Sequence, residues 1–583
     1  MVCQLATWPI SLFVSVDGFR NMTMRSSIPG AEFILPLMAA GLLAIGVGSA
    51  WAQTIPNAGQ LLTDVQKSDK EALTRTPTPD LIEPNAPRAA IKLPDGAQVD
   101  VSRFRITGNK SFGGDLLASL VKPWEGRVLG VEGLNDAAGA ITRHYQNQGY
   151  LLAYAYLPAQ KIEQGVIEIA VLEGTVDSVQ IVTAQDVRLS DEVIQQHVEG
   201  IAQSPQVLQA ELERRLLLLN DIPGVVARAS FVPGAKPGTA DVVVTVAEEA
   251  PLIFAVDLNN HGSASTGEYR LGAQFNLRNL FGVGDSTRVR LQASQKGELV
   301  SGSINSRVPI NGQGLSAEAG LSRLTYELGA PYSSLGARGE ANVLHLGLNS
   351  QLVRSMNDNI SVSAGYDYKD LADVLEFISN NKKTSHQLSF GVVASTRDAL
   401  WGGGLTQTTL GFTAGTLAWD SGIVGTAPTG HFSKLTFDVS RRQAIGIDWS
   451  LSGRVSGQYA FDNLDSSEKY SLTGPYGVRG YAPGQVSVDR GSVVALELRR
   501  AWLLSGGTFS GSLFYDFARG SFDVEPSAGV ANRILLRGLG LGLNWANSAD
   551  LDLSVTAAWR GSKVLSADAD RKPYIYFQVN KGF

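Results

Sequence analysis

Two small α+β modules followed by an antiparallel transmembrane β-barrel of about sixteen strands is the mixed architecture this sequence predicts, on three observations. From Pro251 onward apolar residues recur at every second position. Ahead of that point the order strand, helix, helix, strand, strand occurs twice. The chain ends Tyr574-Ile575-Tyr576-Phe577-Gln578-Val579-Asn580-Lys581-Gly582-Phe583, an alternating strand that runs to the last side chain. In an open sheet that strand would be an exposed apolar edge prone to aggregation. In a closed barrel it pairs with the first strand and no edge is left.

Composition narrows the function classes. At 583 residues the chain is too long for one ordinary domain. Charged residues are 18% and mean hydropathy is +0.01, which argues against wholesale disorder. No run of about 20 apolar residues follows the N-terminal segment, so a bundle of membrane helices is not expected. The net charge of -6 gives no reason to expect nucleic acid as a partner. The single cysteine, Cys3, precedes the export signal, so disulfides and cysteine-ligated metals are not expected in the mature chain. The histidines are scattered without His-Glu-x-x-His spacing, and there is no Gly-x-Ser-x-Gly elbow. Gly402-Gly403-Gly404 is not followed by Lys-Ser or Lys-Thr, so it is not a phosphate loop. No catalytic residues, cofactor or metal are expected, and the chain is not read as an enzyme.

Residues 1–52 read as an export signal with a long leader. Arg20 and Arg25 supply the positive end, Phe33 to Val47 the apolar run, and Ala50-Trp51-Ala52 the small-x-small cleavage site. Met22 or Met24 would serve equally as the start. Residues 53–75 contain a weakly amphipathic helix, Asn57 to Leu73, with Leu61, Leu62, Val65 and Ala72 among charges. From the residues alone it is open between a solvated tether and a docking helix. Pro77, Pro79, Pro84, Pro87 and Pro94 then make residues 76–97 an extended linker.

The first module, 98–174, opens with a strand from Val101 to Thr107. Leu134, Ala138, Ile141 and Tyr145 fall on one face of a helix that Gly149 caps, and strands Ala153 to Leu157 and Val166 to Leu172 complete the unit. The second, 175–249, has strand Val176 to Val182, a helix capped by Ser190, and a helix with Leu208, Leu212, Leu216 and Leu219 on one side. Strands Val225 to Phe231 and Asp241 to Val246 close it.

Residues 250–583 carry the period of two. Tyr269, Leu271, Ala273, Phe275 and Leu277 alternate with Arg270, Gly272, Gln274, Asn276 and Arg278. Strands of about ten residues with one apolar and one polar face fit a barrel with lipid outside and water inside. The signal is weakest between residues 340 and 420. The longest interruption, 462–490, has Gly474-Pro475-Tyr476-Gly477-Val478-Arg479-Gly480-Tyr481 at its centre, and loops of this length are usually functional. Beyond it lie Glu497, on the polar face of the next strand, and Phe514-Tyr515-Asp516-Phe517-Ala518.

Val-Arg-Gly-Tyr in a long loop, a Phe-x-Asp strand motif, two modules and a barrel resemble the two-partner-secretion transporters, the TpsB branch of the BamA-like superfamily. The modules resemble POTRA domains. Tyr156-Leu157-Pro158-Ala159-Gln160, Gly165 and Glu173-Gly174 are typical of the first. Asn260-His261-Gly262, Thr266-Gly267, Asn279-Leu280-Phe281-Gly282 and Gly284-Asp285 resemble the family's first barrel strands and turns.

This resemblance implies an outer-membrane translocator of a Gram-negative cell, with POTRA domains in the periplasm, secreting an unfolded TpsA-type cargo protein through the pore. It implies that the loop folds into the lumen and brings Val478, Arg479, Gly480 and Tyr481 to Phe514 and Asp516 on the wall. Glu497 is open between a further lumen partner and a solvated carboxylate. Where the family usually has glycine two residues after the aspartate, this chain has Ala518. The helix within 53–75 resembles the family's plug, and its weak amphipathicity suits a wet lumen better than a protein core. Tyr574, Tyr576, Phe577 and Phe583 resemble the C-terminal signal read by the barrel assembly machinery, with lipid and periplasmic chaperones as further partners. An outer-membrane protein insertase and a haem-carrier release transporter are the alternatives.

Overall fold

The computed structural model describes residues 55–71, 98–203, 209–236, 239–376, 379–422, 428–562 and 571–583. The export signal and the proline-rich linker lie outside the described residues.

In the first module, strands Arg103–Thr107, Val166–Leu172 and Tyr154–Tyr156 form one sheet in that spatial order. Helices Gly114–Val121 and Val131–Asn147 cover it, and Leu134, Ala138, Ile141 and Tyr145 are buried with Ile167 and Ile169. Gly149, at φ +89°, ends the longer helix, its N–H donating to Gln146 O at 2.9 Å. The expected strand 101–107 is in fact two. Val99–Val101 pairs with Arg127–Leu129, and the chain changes partner at Ser102. There the Ser102 N–H donates to Gly165 O and its hydroxyl to Gln164 O, each at 2.8 Å, so the backbone bends towards Val166–Leu172. Glu173 fastens this module's turn, accepting from the Lys110 and Ser111 N–H groups at 2.6 Å and from the Tyr145 hydroxyl at 2.9 Å. Burial alone would raise its carboxyl, but these bonds hold it below the usual range.

The second module repeats the design. Strands Thr175–Thr183, Thr239–Glu248 and Val225–Pro233 lie in that order, the first pair parallel and the second antiparallel, as in the first module. Helices Asp191–Gln203 and Gln209–Asn220 pack on the sheet through Ile194, Val198, Leu212, Leu216 and Leu219.

Among the described residues sixteen strands close into one antiparallel barrel, from Leu252–Asn259 to Tyr574–Gly582. The last strand pairs with the first through Gln578↔Asn259 to Gly582↔Ala255. Phe583 stacks on Phe254 at 5.6 Å between ring centroids. Leu271, Leu291, Leu321, Leu346, Phe390 and Leu541 are exposed on the outer wall, as a lipid-facing surface requires. The expectation of uniform strands of about ten residues fails where the sequence signal is weakest. Arg338–Arg354, Asp358–Leu375 and Ser379–Asp398 run for 17, 18 and 20 residues. In the last of these, outward Leu388, Phe390 and Val392 are followed towards the strand's start by Thr384 and Lys382. The hydrogen-bond ladder continues past the apolar band into water, where alternation no longer marks it.

Turns such as 355–357 and 505–506 are short, whereas the opposite end carries the connection 461–489. Short turns face the periplasm in such barrels and long loops face outward. The second module docks on the short turns. The Ser190 N–H donates to Gly282 O at 2.9 Å, Arg214 Nη2 to Gln351 O at 3.0 Å, and Arg354 grips Asp221 through two bonds of 2.7 and 2.8 Å.

Candidate functional site

The site is the lumen, which two separate parts of the chain fill. A cation on a loop inside a barrel is stable only against acidic partners, since an uncompensated buried charge is costly. Arg479 has them. Its Nε and Nη2 bond the two oxygens of Asp516, each at 2.8 Å, its backbone N–H adds a third bond at 3.1 Å, and Nη1 reaches Glu497 Oε2 at 3.0 Å. The guanidinium carbon stands 3.3 Å from the Phe514 ring centre. Burial alone would lower the Arg479 guanidinium, but Asp516 and then Glu497 hold it more firmly protonated than usual.

The antiparallel ladder explains this convergence. Glu497 lies opposite Phe514, and Ala495 opposite Asp516, so inward residues of adjacent strands form one patch. Gly480 passes so close to the strand Leu551–Arg560 that a Cβ there would sit 2.8 Å from the Arg560 nitrogen. Val478 and Tyr481 are buried with Ala518, Val493 and Leu536, so the methyl group of Ala518 packs beneath the loop. The Tyr481 hydroxyl donates to Ser562 O at 3.0 Å, and the Tyr576 hydroxyl donates to Tyr481 O at 2.5 Å.

Tyr574 and Tyr576 are therefore buried against the loop beside Ala482, while Phe577 contacts Tyr269 and Phe583 is exposed. The four C-terminal aromatics do not form one cluster.

Sequence reasoning missed a second anchor near the start of the loop. Asp465 accepts two bonds from Lys383 Nζ, at 2.8 and 2.9 Å. Glu468 meets Lys369 at 2.7 Å and Lys434 at 2.8 Å. All these side chains are at most 13% exposed, so the pairs are dry. Burial alone would raise the Glu468 carboxyl, but the Lys369 and Lys434 ammoniums hold it at about 2. The only sequence signal was three lysines scattered over three strands, which nothing in a period of two draws together. A short hairpin of Tyr470–Ser471 with Ser487–Val488 stiffens the loop between its two anchors.

The second occupant is the helix Ala58–Glu71. Asn57 Oδ1 caps it by accepting from the Gln60 N–H at 3.1 Å, and the Ala58 N–H donates to Asp373 Oδ1 at 2.7 Å. Contrary to the wet surroundings expected, its apolar face is packed. Ala58, Leu61, Leu62 and Val65 are buried against Leu299, Leu324, Tyr326 and Leu371 of the wall. The barrel carries an apolar inner patch there, which a purely polar lumen would not. The polar side meets the loop: Gln60 Nε2 donates to Gly484 O at 2.6 Å and Asn57 Nδ2 to Ser466 Oγ at 2.7 Å. Gly59 lies so near the loop that a Cβ would be 2.3 Å from Ser467 Cβ. Below both occupants a cavity of about 1220 Å³ opens between the second module and the wall.

Known proteins are similar to this chain in sequence and in fold. The model of the haemolysin secretion/activation protein family ShlB/FhaC/HecB matches residues 238–545, and that of the ShlB-type POTRA domain matches 99–174. The heme/hemopexin transporter protein HuxB of Haemophilus influenzae is 28% identical over 459 residues, 76% of this chain and 80% of that protein. The outer membrane transporter CdiB of Escherichia coli O6:K15:H31 is 25% identical over 487 residues, 81% of this chain and 80% of that protein. The solved structure of CdiB from Escherichia coli matches in fold with a TM-score of 0.67 at 21% identity, covering 91% of this chain and 100% of that one. BamA from Haemophilus ducreyi lacking POTRA domains 1–3 gives 0.52 at 14% identity over 83% of this chain and 100% of that one, a likeness of fold alone. With more than half of its length matched, the chain belongs to the ShlB/FhaC/HecB haemolysin secretion/activation family, outer-membrane transporters with periplasmic POTRA domains that secrete a partner protein through the barrel.

Proposed function

We propose that the two POTRA domains take up an unfolded exported partner and deliver it to the lumen, where the helix acts as a plug and the loop as a second gate. The observation that carries this is the filled lumen: both occupants are held by side-chain contacts, so both are displaceable without unfolding the barrel. The strand Thr175–Thr183 lies at a sheet edge, where an extended segment can add a strand through backbone hydrogen bonds. Net direction comes from folding of the partner outside, which prevents its return. The protein acts as a conduit and catalyses no reaction of its own. Its aromatic C-terminal strand is the part read by the assembly machinery, and periplasmic chaperones carry the unfolded barrel there.

A haem-carrying partner is the narrower reading, favoured by the likeness to a protein named as a heme/hemopexin transporter. Proteomics of culture medium and of outer membranes, with and without the gene, tests the function. Loss of one large secreted protein is the expected result, and a broad loss of other barrels would instead support an insertase.

A further inference from the structure

The lumen wall beside the closing strands carries cations that the movable helix neutralises. Strands Arg270–Arg278, Ser286–Ser294 and Leu299–Pro309 carry Arg270, Arg288, Arg290 and Arg307 on the lumen side. Two carboxylates of the wall itself serve them. Asp257 pairs with Arg290 Nη1, and Glu318 Oε1 lies 3.7 Å from Arg307 Nε. The rest of the compensation comes from the helix: Asp69 Oδ1 is 3.4 Å from Arg290 Nε and acts on Arg288, and the charge of Asp64 acts on Arg270, although burial pushes both carboxyls up, that of Asp64 to about 6. Arg270 is buried, and among the described residues its Nε has no hydrogen-bond partner. Once the helix leaves, four guanidiniums face two carboxylates.

The far wall follows the same rule. Lys369, Lys383 and Lys434 belong to the wall, and their partners Asp465 and Glu468 belong to the loop. At these two places the wall carries the cations and the movable elements the anions, the reverse of Arg479 on Asp516 and Glu497.

We propose that the arginine strip is the track for an acidic, extended segment of the exported partner, and that the helix is its resident stand-in, holding Asp64 and Asp69 where the partner's carboxylates come to lie. This rests on the helix being displaceable, as read above. Five helical residues separate the two aspartates by roughly 7.5 Å along the axis. The cations they face lie further apart, since Arg290 sits opposite Gln274, four residues along the strand from Arg270, so carboxylates about four residues apart on an extended chain fit the track. Charges lining a narrow, low-dielectric passage act more strongly than the same charges on an open surface, which favours an anionic chain over a cationic one.

The test uses the purified full-length protein and fluorescein-labelled deca-aspartate and deca-lysine peptides. Deleting residues 53–74 is expected to tighten deca-aspartate binding by about tenfold, with a gain that falls as salt rises. Asp64→Asn with Asp69→Asn in the full chain is expected to move binding the same way by less. In the deleted chain, Arg288→Gln with Arg290→Gln is expected to abolish the gain while the barrel keeps its folded mobility on unheated gels. Deca-lysine is expected not to bind. A deletion without gain, or a gain that survives the arginine replacements, overturns the track. Single-channel conductance of the same proteins reads the plug separately: peptide binding without raised conductance keeps the track and rejects the plug, and the reverse result rejects the track alone.

Discussion

The helix and the loop occupy one lumen but are held there by different physics. The loop is fixed at its centre and near its start by buried charge pairs of opposite sense, a loop cation on wall anions at Asp516 and Glu497, and loop anions on wall cations at Lys369, Lys383 and Lys434. The helix relies on a small apolar face, a few single hydrogen bonds that each involve a side chain, and the 3.4 Å contact of Asp69 with Arg290. Withdrawing an apolar side chain costs about 1.5–3 kcal/mol when it was fully buried, and much less when another surface takes its place. Breaking a buried ion pair by removing one partner costs roughly 3–5 kcal/mol, because the other charge is stranded. The helix is thus the element that yields first and the loop the one that yields last.

Substitutions at four positions test that order, starting with the largest effect. Arg479→Ala strands Asp516, which is fully buried, at a cost of roughly 3–5 kcal/mol. Secretion of the partner is expected to stop while the barrel remains in outer-membrane fractions. Arg479→Lys is expected to do almost the same, since an ammonium supplies neither the two-pronged bond nor the flat face over Phe514. Normal secretion by either variant would remove the loop anchor from the mechanism.

Glu468→Gln comes next, leaving Lys369 and Lys434 without their carboxylate at about 1.5–3 kcal/mol for the lost charged bonds. Frequent brief openings in planar bilayers are expected with Arg479 still in place. The pH dependence has a definite sign. Because the folded carboxyl sits at about 2 against a reference value of 4.5, its stabilisation is complete above about 4.5 and is lost as pH falls towards 2. Wild-type openings should therefore rise only over that acidic window, and the glutamine variant should show no such rise.

Gly59→Val drives a side chain into Ser467, so it should dislodge the helix and raise basal conductance several-fold while secretion continues. A pore as closed as the wild type would mean the helix can shift without leaving. The smallest change is Ala518→Gly, which removes one methyl under Val478 and Tyr481 at about 1 kcal/mol. Secretion should be unchanged and the thermal transition slightly lowered, as read by circular dichroism.

Legibility in the sequence followed how local the determining signal was. Strand faces in the barrel repeat every two residues, so Arg270 and Gln274 are assigned to one side of the wall from the sequence alone. Val478-Arg479-Gly480-Tyr481 and Asp516 stood out through motifs, and the structure puts them in contact. Lys383 and Asp465 lie 82 positions apart and meet across the lumen, a relation no periodicity encodes. The break at Ser102 shows in the sequence only as a slip of phase, apolar Val99 and Val101 at odd positions giving way to Phe104 and Ile106 at even ones, and the partner strands change at that point. The apolar bed of the helix was illegible for a similar reason. Leu299, Leu324 and Leu371 look like ordinary strand residues until the closure of the barrel turns them inward.

The docking of the second module on the short turns has an entropic consequence. Arg354 with Asp221, Arg214 with the Gln351 carbonyl and Ser190 with Gly282 leave that module one orientation over the pore mouth. A chain that binds there is already aimed at the cavity, and no rotational freedom of the module remains to be frozen when it arrives. Preorganisation of this kind strengthens binding by removing an ordering cost, so loosening Arg354 should weaken capture at the pore mouth without changing what the lumen accepts.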